Sequence, residues 1–243
     1  MRFTSQQRLD GGVLERAFTL GEVPGIVWTP ETAAEPVPLI LAGHPGGLHT
    51  MHPRLVARAR VAAANGFSSA TIELPGSGDR PPLVVTQQAR AELRRALDAG
   101  DPVGDGLVDR LVLPLVERAV PEWQATMDAL LALPEIGGPV GYSGGVISIG
   151  VRLAVIEPRI AAAGLFAGSF VPRTILAEAR QVTIPLHVLL QWDDDGNDRQ
   201  MALDLFDAFG SKEKTLQANM GGHRGVPPYA GDDAARFFAR HLR

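Results

Sequence analysis

There is no cysteine in the 243-residue chain. That single absence removes disulfides, thiolate nucleophiles and cysteine-type zinc sites together. Basic tracts are missing as well. The 23 Lys and Arg residues are scattered among 27 Asp and Glu, the net charge is −4, and nothing supports a nucleic-acid partner. No apolar run is long enough to span a bilayer. The longest, from Ile160 to Val171, is about a dozen residues where about twenty are needed. The opening segment MRFTSQQRLDGG lacks the apolar centre of a signal peptide, so the expected location is the cytoplasm, away from membranes. Neither G-x-G-x-x-G nor a Walker P-loop occurs. Internal repeats, low-complexity tracts and long linkers are also wanting.

What is present is ordinary in amount: 45% hydrophobic and 21% charged residues, enough for one sizeable core and one domain over residues 1–243. Short apolar, β-branched runs alternate with longer helical patterns. Val13 to Leu20 and Gly25 to Trp28 predict a leading strand pair. Val37 to Ala42 (VPLILA) is continuously apolar, as in a strand buried on both faces. Further strands are predicted at Ser68 to Leu74, Pro139 to Tyr142, Ile160 to Phe166, Ile184 to Gln191 and Lys214 to Ala218. Helices are predicted at Pro53 to Ala64, Gly144 to Ile156, Arg199 to Phe209 and Asp232 to His241. Pro53 is read as first-turn proline and Asn65-Gly66 as the stop. This alternation means an α/β chain with a mostly parallel sheet covered on both faces. Pro81 to Pro121 interrupts it with two helical patterns, AELRRALDAG and LVDRLVLPLVERAV. That segment is read as a small helical cap insertion, because a structureless loop of its length is unusual in a compact domain.

Gly141-Tyr142-Ser143-Gly144-Gly145 is a G-x-S-x-G sequence between a short strand and an apolar helix. In that context a sharp strand-to-helix turn strains the serine backbone and presents its hydroxyl at a helix N-terminus. Ser143 is then a candidate nucleophile, with the backbone N–H of Gly144 available to a developing oxyanion. The plain alternative is a helix-capping serine in a glycine-rich turn. Gly43-His44-Pro45-Gly46-Gly47, directly after VPLILA, is a second glycine-rich loop. Pro45 has no N–H, so Gly46 is the candidate second oxyanion donor and Gly47 its reserve. His44 is expected to brace this loop. Two late features complete the set. The strand ending at Gln191 runs into Trp192-Asp193-Asp194-Asp195, and Gly221-Gly222-His223 precedes the final helix. His223 alone of six histidines sits in a glycine-rich turn after a late strand, which suits a general base. A surface-loop histidine is the plain alternative.

In order, GHPGG, ELPGSGDR, GYSGG, WDD and GGH resemble the dienelactone-hydrolase-like and esterase branch of the α/β hydrolases, from Val37 to the C-terminus. The resemblance implies the α/β-hydrolase fold and a Ser-Asp-His triad in the chain order of that fold. The family's strand-end pattern G-x-x-D, with Gln191 in place of its glycine, carries the acid to Asp194. The catalytic set it implies is Ser143, Asp194 and His223. The expected activity is carboxylic ester hydrolysis through an acyl-enzyme, with no cofactor and no metal. Three departures stand out. True dienelactone hydrolases use cysteine as nucleophile; Pro45 interrupts the usual HGG; and Glu73 and Ser77 replace the acid and histidine of D-x-P-G-H-G.

Other signals are set aside. His44, His49 and His52 have no neighbouring carboxylate in their loop, and the run from Asp193 to Asp198 has its glycine misplaced for a calcium loop. Transfer of the acyl group to an acceptor other than water, as in an acyltransferase or a cofactor-free perhydrolase, needs the same triad. A non-catalytic binding protein on this fold has no use for all three residues. The predicted cap offers Leu83, Val84, Val85, Leu111, Val112, Leu113 and Leu115 and no lysine, so the expected substrate is a small ester with an apolar acyl or alkyl group.

Overall fold

The structure, a computed structural model, describes all residues from 1 to 243 except Thr32, Ala34, Ser169 and Arg224. Nine strands form one open sheet in the order β1-β2-β3-β5-β4-β6-β7-β8-β9. β1 (Arg2–Leu9), β2 (Val13–Leu20) and β3 (Val23–Pro30) form an antiparallel meander at one edge. β3 meets β5 (Ser68–Ile72) antiparallel. From there the sheet is parallel through β4 (Val37–Gly43), β6 (Ile136–Gly144), β7 (Ile160–Phe166), β8 (Leu186–Gln191) and β9 (Lys214–Asn219). Each parallel step needs a crossover, and these supply the helices on the faces.

Helices α1 (Leu48–Ala64) and α7 (Pro228–His241) cover one face, touching each other and, respectively, β5 and β7. α3 (Asp105–Leu131), α4 (Ile147–Ile156), α5 (Arg173–Ala179) and α6 (Arg199–Ala208) pack in succession on the other face. The larger core lies under this second set and contains Leu39, Leu41, Trp123, Met127, Tyr142 and Leu165. Ile40, Phe67, Ala162, Phe237 and Phe238 form a separate cluster on the α1/α7 face. Alternate residues of VPLILA therefore feed opposite cores, which explains an apolar run with no polar positions. Among the described residues, no helix is long and apolar enough to cross a membrane.

Several boundaries differ from the predicted ones. β1 was not predicted: RFTSQQRL has no apolar alternation, and seven of its eight residues are exposed. Its pairing with β2 is a backbone matter that side chains do not signal. α1 begins at Leu48, so Pro53 lies inside it and not in its first turn. The carboxylate of Glu73 accepts the N–H of Leu48 at 2.9 Å and supplies the helix start that Pro53 was expected to mark. Asn65 does end α1, with Gly66 left-handed after it. The short α5 also went unpredicted.

Pro81 to Pro121 is helical, but Pro121 is no boundary. α2 (Val84–Ala99) is followed by α3, which runs unbroken through Pro114 and Pro121. Val108, Val112, Val116, Ala119, Trp123, Met127 and Leu130 recur at helical spacing and all enter the larger core. The first half of α3 is thus continuous with the crossover helix to β6. Leu111, Leu113 and Leu115 are partly buried against the same core, whereas Val84 and Val85 at the start of α2 are exposed.

Candidate active site

The carboxyl ends of the parallel strands gather the residues of interest. β6 carries Ser143 as its second-last residue, paired with Ala42 of β4 on one side and Gly164 of β7 on the other. The turn that follows is made by Gly144 and Gly145, with φ of +76° and +75°. Serine was expected to carry the strained conformation, and it does not. Among the described residues Phe170 is the only non-glycine with positive φ. Left-handed backbone costs a Cβ-bearing residue roughly 1–2 kcal/mol and glycine almost nothing, so the turn settles on the two glycines after the serine. A Cβ on Gly145 would lie 2.8 Å from Cα of Gly43, so β4 and β6 can end this close together only with glycine there. The helix also starts later than predicted. α4 begins at Ile147, and Gly144 is the last residue of β6, paired with Gly43.

The acid and base meet directly. Asp194 lies in the loop after β8 and is buried, while Asp193 and Asp195 beside it are exposed. His223 Nδ1 donates to Asp194 Oδ2 at 2.7 Å. The other oxygen, Oδ1, accepts the N–H of Gly196 at 3.2 Å. Asp193 instead accepts the N–H of Gly221, and Asp198 caps α6 through the N–H groups of Gln200 and Met201. One carboxylate of the run thus faces the histidine, Asp193 and Asp198 hold backbone N–H groups, and Asp195 is exposed.

The imidazole of His223 rests edge-on against Phe166, with ring centroids 5.5 Å apart. Phe166 ends β7 two residues beyond Gly164, the partner of Ser143. The serine and the acid–base pair therefore share one end of the sheet. Among the described residues, however, no hydrogen bond joins the Ser143 hydroxyl to His223.

The loop after β4 is held from below. His44 is buried and its Nε2 donates to the carbonyl of Ile72 at 2.9 Å, the bracing role expected of it. Burial lowers its pKa. Gly46 packs beside Met51, where a Cβ would lie 3.4 Å from the Met51 Cγ, and Gly47 lies close against Gly78 as the residue before α1. His52, set aside as a metal ligand, binds the carboxylate of Glu15 at 2.9 Å, which also accepts Trp28 Nε1.

Two side chains around the site escaped sequence reasoning. Gln191, noted only as the residue in place of a glycine, is buried, and its Nε2 donates to the carbonyl of Gly222 at 3.0 Å, bracing the histidine turn. Arg58 of α1 donates from Nη1 to the carbonyl of Gly43 at 2.9 Å and from Nη2 to the carbonyl of Ser143 at 2.7 Å. Neither carries a local motif, since each acts on backbone distant in sequence. Tyr142, between Gly141 and Ser143, is fully buried and packs edge-on against Trp123 at 6.2 Å; burial raises its hydroxyl pKa.

Compared with solved structures, the chain is similar over its whole length to a cold-adapted esterase from an Arctic intertidal metagenomic library. In its polyethylene-glycol-bound form the identity is 28%, both chains are fully covered, and the TM-score is 0.77. The native form of such an esterase gives 27% identity, full coverage of both chains and a TM-score of 0.73. A dienelactone hydrolase from Anabaena variabilis ATCC 29413 is 17% identical, with 98% of this chain and 99% of that one covered and a TM-score of 0.62. At that identity the likeness concerns the fold. No family model and no curated protein sequence matches the chain.

Proposed function

Taking the α/β-hydrolase fold of this chain as the premise, we propose that it is a serine hydrolase of small carboxylic esters. The observation that carries the reading is the 2.7 Å hydrogen bond from His223 to the buried Asp194, at the sheet end where β6 delivers Ser143. The full-length likeness to esterase structures supports the same class.

In the proposed reaction the Ser143 hydroxyl attacks the ester carbonyl while His223 Nε2 takes its proton. Asp194 keeps the other ring nitrogen protonated and stabilises the imidazolium. The N–H groups of Gly144 and Gly46 receive the developing oxyanion. The alcohol leaves with the proton from His223, and water then releases the acid by the same steps in reverse order. Hydrogen bonds between nucleophile and base are often long without substrate, so the hydroxyl comes to Nε2 as the ester seats. Substrate enters beside α2 and the first half of α3, whose apolar side chains favour an apolar acyl or alkyl group.

The test is hydrolysis of p-nitrophenyl esters combined with fluorophosphonate labelling. Wild type is expected to turn over and to label at Ser143. Ser143→Ala is expected to stay folded, to lose labelling and to lose at least about a thousandfold in kcat. More than a few percent of wild-type turnover in pure Ser143→Ala protein rules the serine mechanism out.

A further inference from the structure

Arg58, at the ends of β4 and β6, is placed without a structural partner of the usual kind. Among the described residues no carboxylate pairs with it; its two hydrogen bonds go to the main-chain carbonyls of Gly43 and Ser143. Those residues sit at the ends of adjacent strands β4 and β6, where Gly43 pairs with Gly144 and Ala42 with Ser143. A desolvated guanidinium without a counter-ion is a costly way to join two strands already joined by their own ladder. Burial indeed lowers its pKa. The arrangement calls for a reason beyond stability.

Peptide geometry supplies one. A trans peptide is planar, and its C=O and N–H point in opposite directions. Holding the Ser143 carbonyl on the guanidinium side turns the N–H of Gly144 to the opposite side, and holding the Gly43 carbonyl does the same for the N–H of His44. Gly144 is left-handed and has no side chain to fix its peptide plane. It also lies hard against the guanidinium, since a Cβ there would come within 3.2 Å of Nη2. Two left-handed glycines in succession leave this turn soft unless something outside it sets the plane. On the serine-hydrolase reading given above, on which this rests, that plane carries an oxyanion donor. We propose that Arg58 is a positioning residue for the oxyanion site: it sets the orientation of the Ser143–Gly144 peptide, and its uncompensated charge favours negative charge developing on the far side of that peptide.

The test compares Arg58→Met and Arg58→Lys with wild type and with Arg60→Met. Arg60 is on the same helix, exposed, and paired only loosely with Asp10 at 3.7 Å. Wild-type protein is expected to hydrolyse p-nitrophenyl acetate and label at Ser143. Arg58→Met should lower kcat about 30- to 100-fold with KM within about threefold, because misaligning one oxyanion donor acts on the transition state and not on substrate binding. Affinity for a trifluoromethyl ketone, which adds to the serine as an oxyanion, should fall by the same factor as kcat. Arg58→Lys, with one charge but no planar fork, should fall between wild type and Arg58→Met. Arg60→Met should match wild type. If Arg58→Met does not fold, Arg58→Lys against Arg60→Met decides the matter alone. A variant that loses thermal stability while keeping kcat and ketone affinity per folded molecule would show a structural staple only, and would overturn the inference while leaving the triad standing. Wild-type protein without turnover or labelling would instead overturn the serine-hydrolase reading, and this inference with it.

Discussion

Asp194→Asn is the most discriminating single change at the proposed site, because both carboxylate oxygens are already used as acceptors. Oδ2 takes the proton side of His223 Nδ1 at 2.7 Å and Oδ1 takes the Gly196 N–H at 3.2 Å. Asparagine has one acceptor and one donor group of the same shape. If its oxygen stays on Gly196, the amide NH2 faces Nδ1. The imidazole must then carry its proton on Nε2, and it can no longer accept one from Ser143. If the amide flips, its NH2 faces the Gly196 N–H, two donors meet in a buried place, and the loop must shift to relieve them. Either way the base is lost or displaced. The corresponding change in a serine triad costs about 10⁴ in kcat through the wrong tautomer, and a partly exposed imidazole that can relax sets a lower bound of about 10². This is about 2.7–5.5 kcal/mol of transition-state stabilisation. Asp193→Asn keeps an oxygen for Gly221, and Asp195→Asn alters an exposed side chain, so each should change kcat by less than about threefold. Initial rates on p-nitrophenyl acetate across pH 6–9, for three variants of matched thermal stability, provide the assay. Asp194→Asn with more than a tenth of wild-type kcat, or Asp193→Asn as the damaged variant, would refute the argument.

Three further outcomes are expected. Gly145→Ala should cost more than about 3 kcal/mol in urea unfolding, since left-handed strain adds to a backbone clash at 2.8 Å, whereas Gly12→Ala, left-handed but in open space, should cost about 1 kcal/mol; equal costs would show that the two strand ends are free to part. The Arg159 guanidinium, hydrogen-bonded to the Glu157 carboxylate, holds its pKa down to about 2, so its stabilisation is complete above the ordinary carboxylate range and is lost as pH falls toward 2; wild type should lose about 1–3 kcal/mol more than Glu157→Gln over that interval, and parallel pH profiles of Tm would contradict this. Replacing both Leu111 and Leu115 by alanine, in protein still folded by circular dichroism, should shift the preferred ester chain length about tenfold in kcat/KM, and an unchanged profile would remove the first half of α3 from substrate selection.

The parts legible in the sequence are those where a local pattern is itself the cause. VPLILA has no polar position because its two sides feed two different cores, and that reads directly as a buried strand. Gly221-Gly222-His223 and the aspartate run stand beside late strands because loops at that sheet edge are built from such residues, and they come together in space as their order suggested. The misses share another cause: the decisive partner lies far away in sequence. β1 exists because β2 offers it a ladder, although RFTSQQRL has no strand pattern of its own. α1 starts at Leu48 because Glu73, 25 residues on, reaches its first N–H, and no rule about Pro53 contains that carboxylate. The turn after Ser143 follows the same logic. G-x-S-x-G announces a tight turn, but which residue becomes left-handed depends on what crowds it. Here Gly43 excludes any side chain at position 145, and the Arg58 guanidinium crowds position 144. Two glycines accept the positive φ, the serine stays extended, and an arginine 85 residues earlier holds its carbonyl. A motif therefore reports that strain must be placed near the nucleophile, and the tertiary neighbours decide which peptide bears it. The peptide that bears it here is the one whose N–H the proposed chemistry needs.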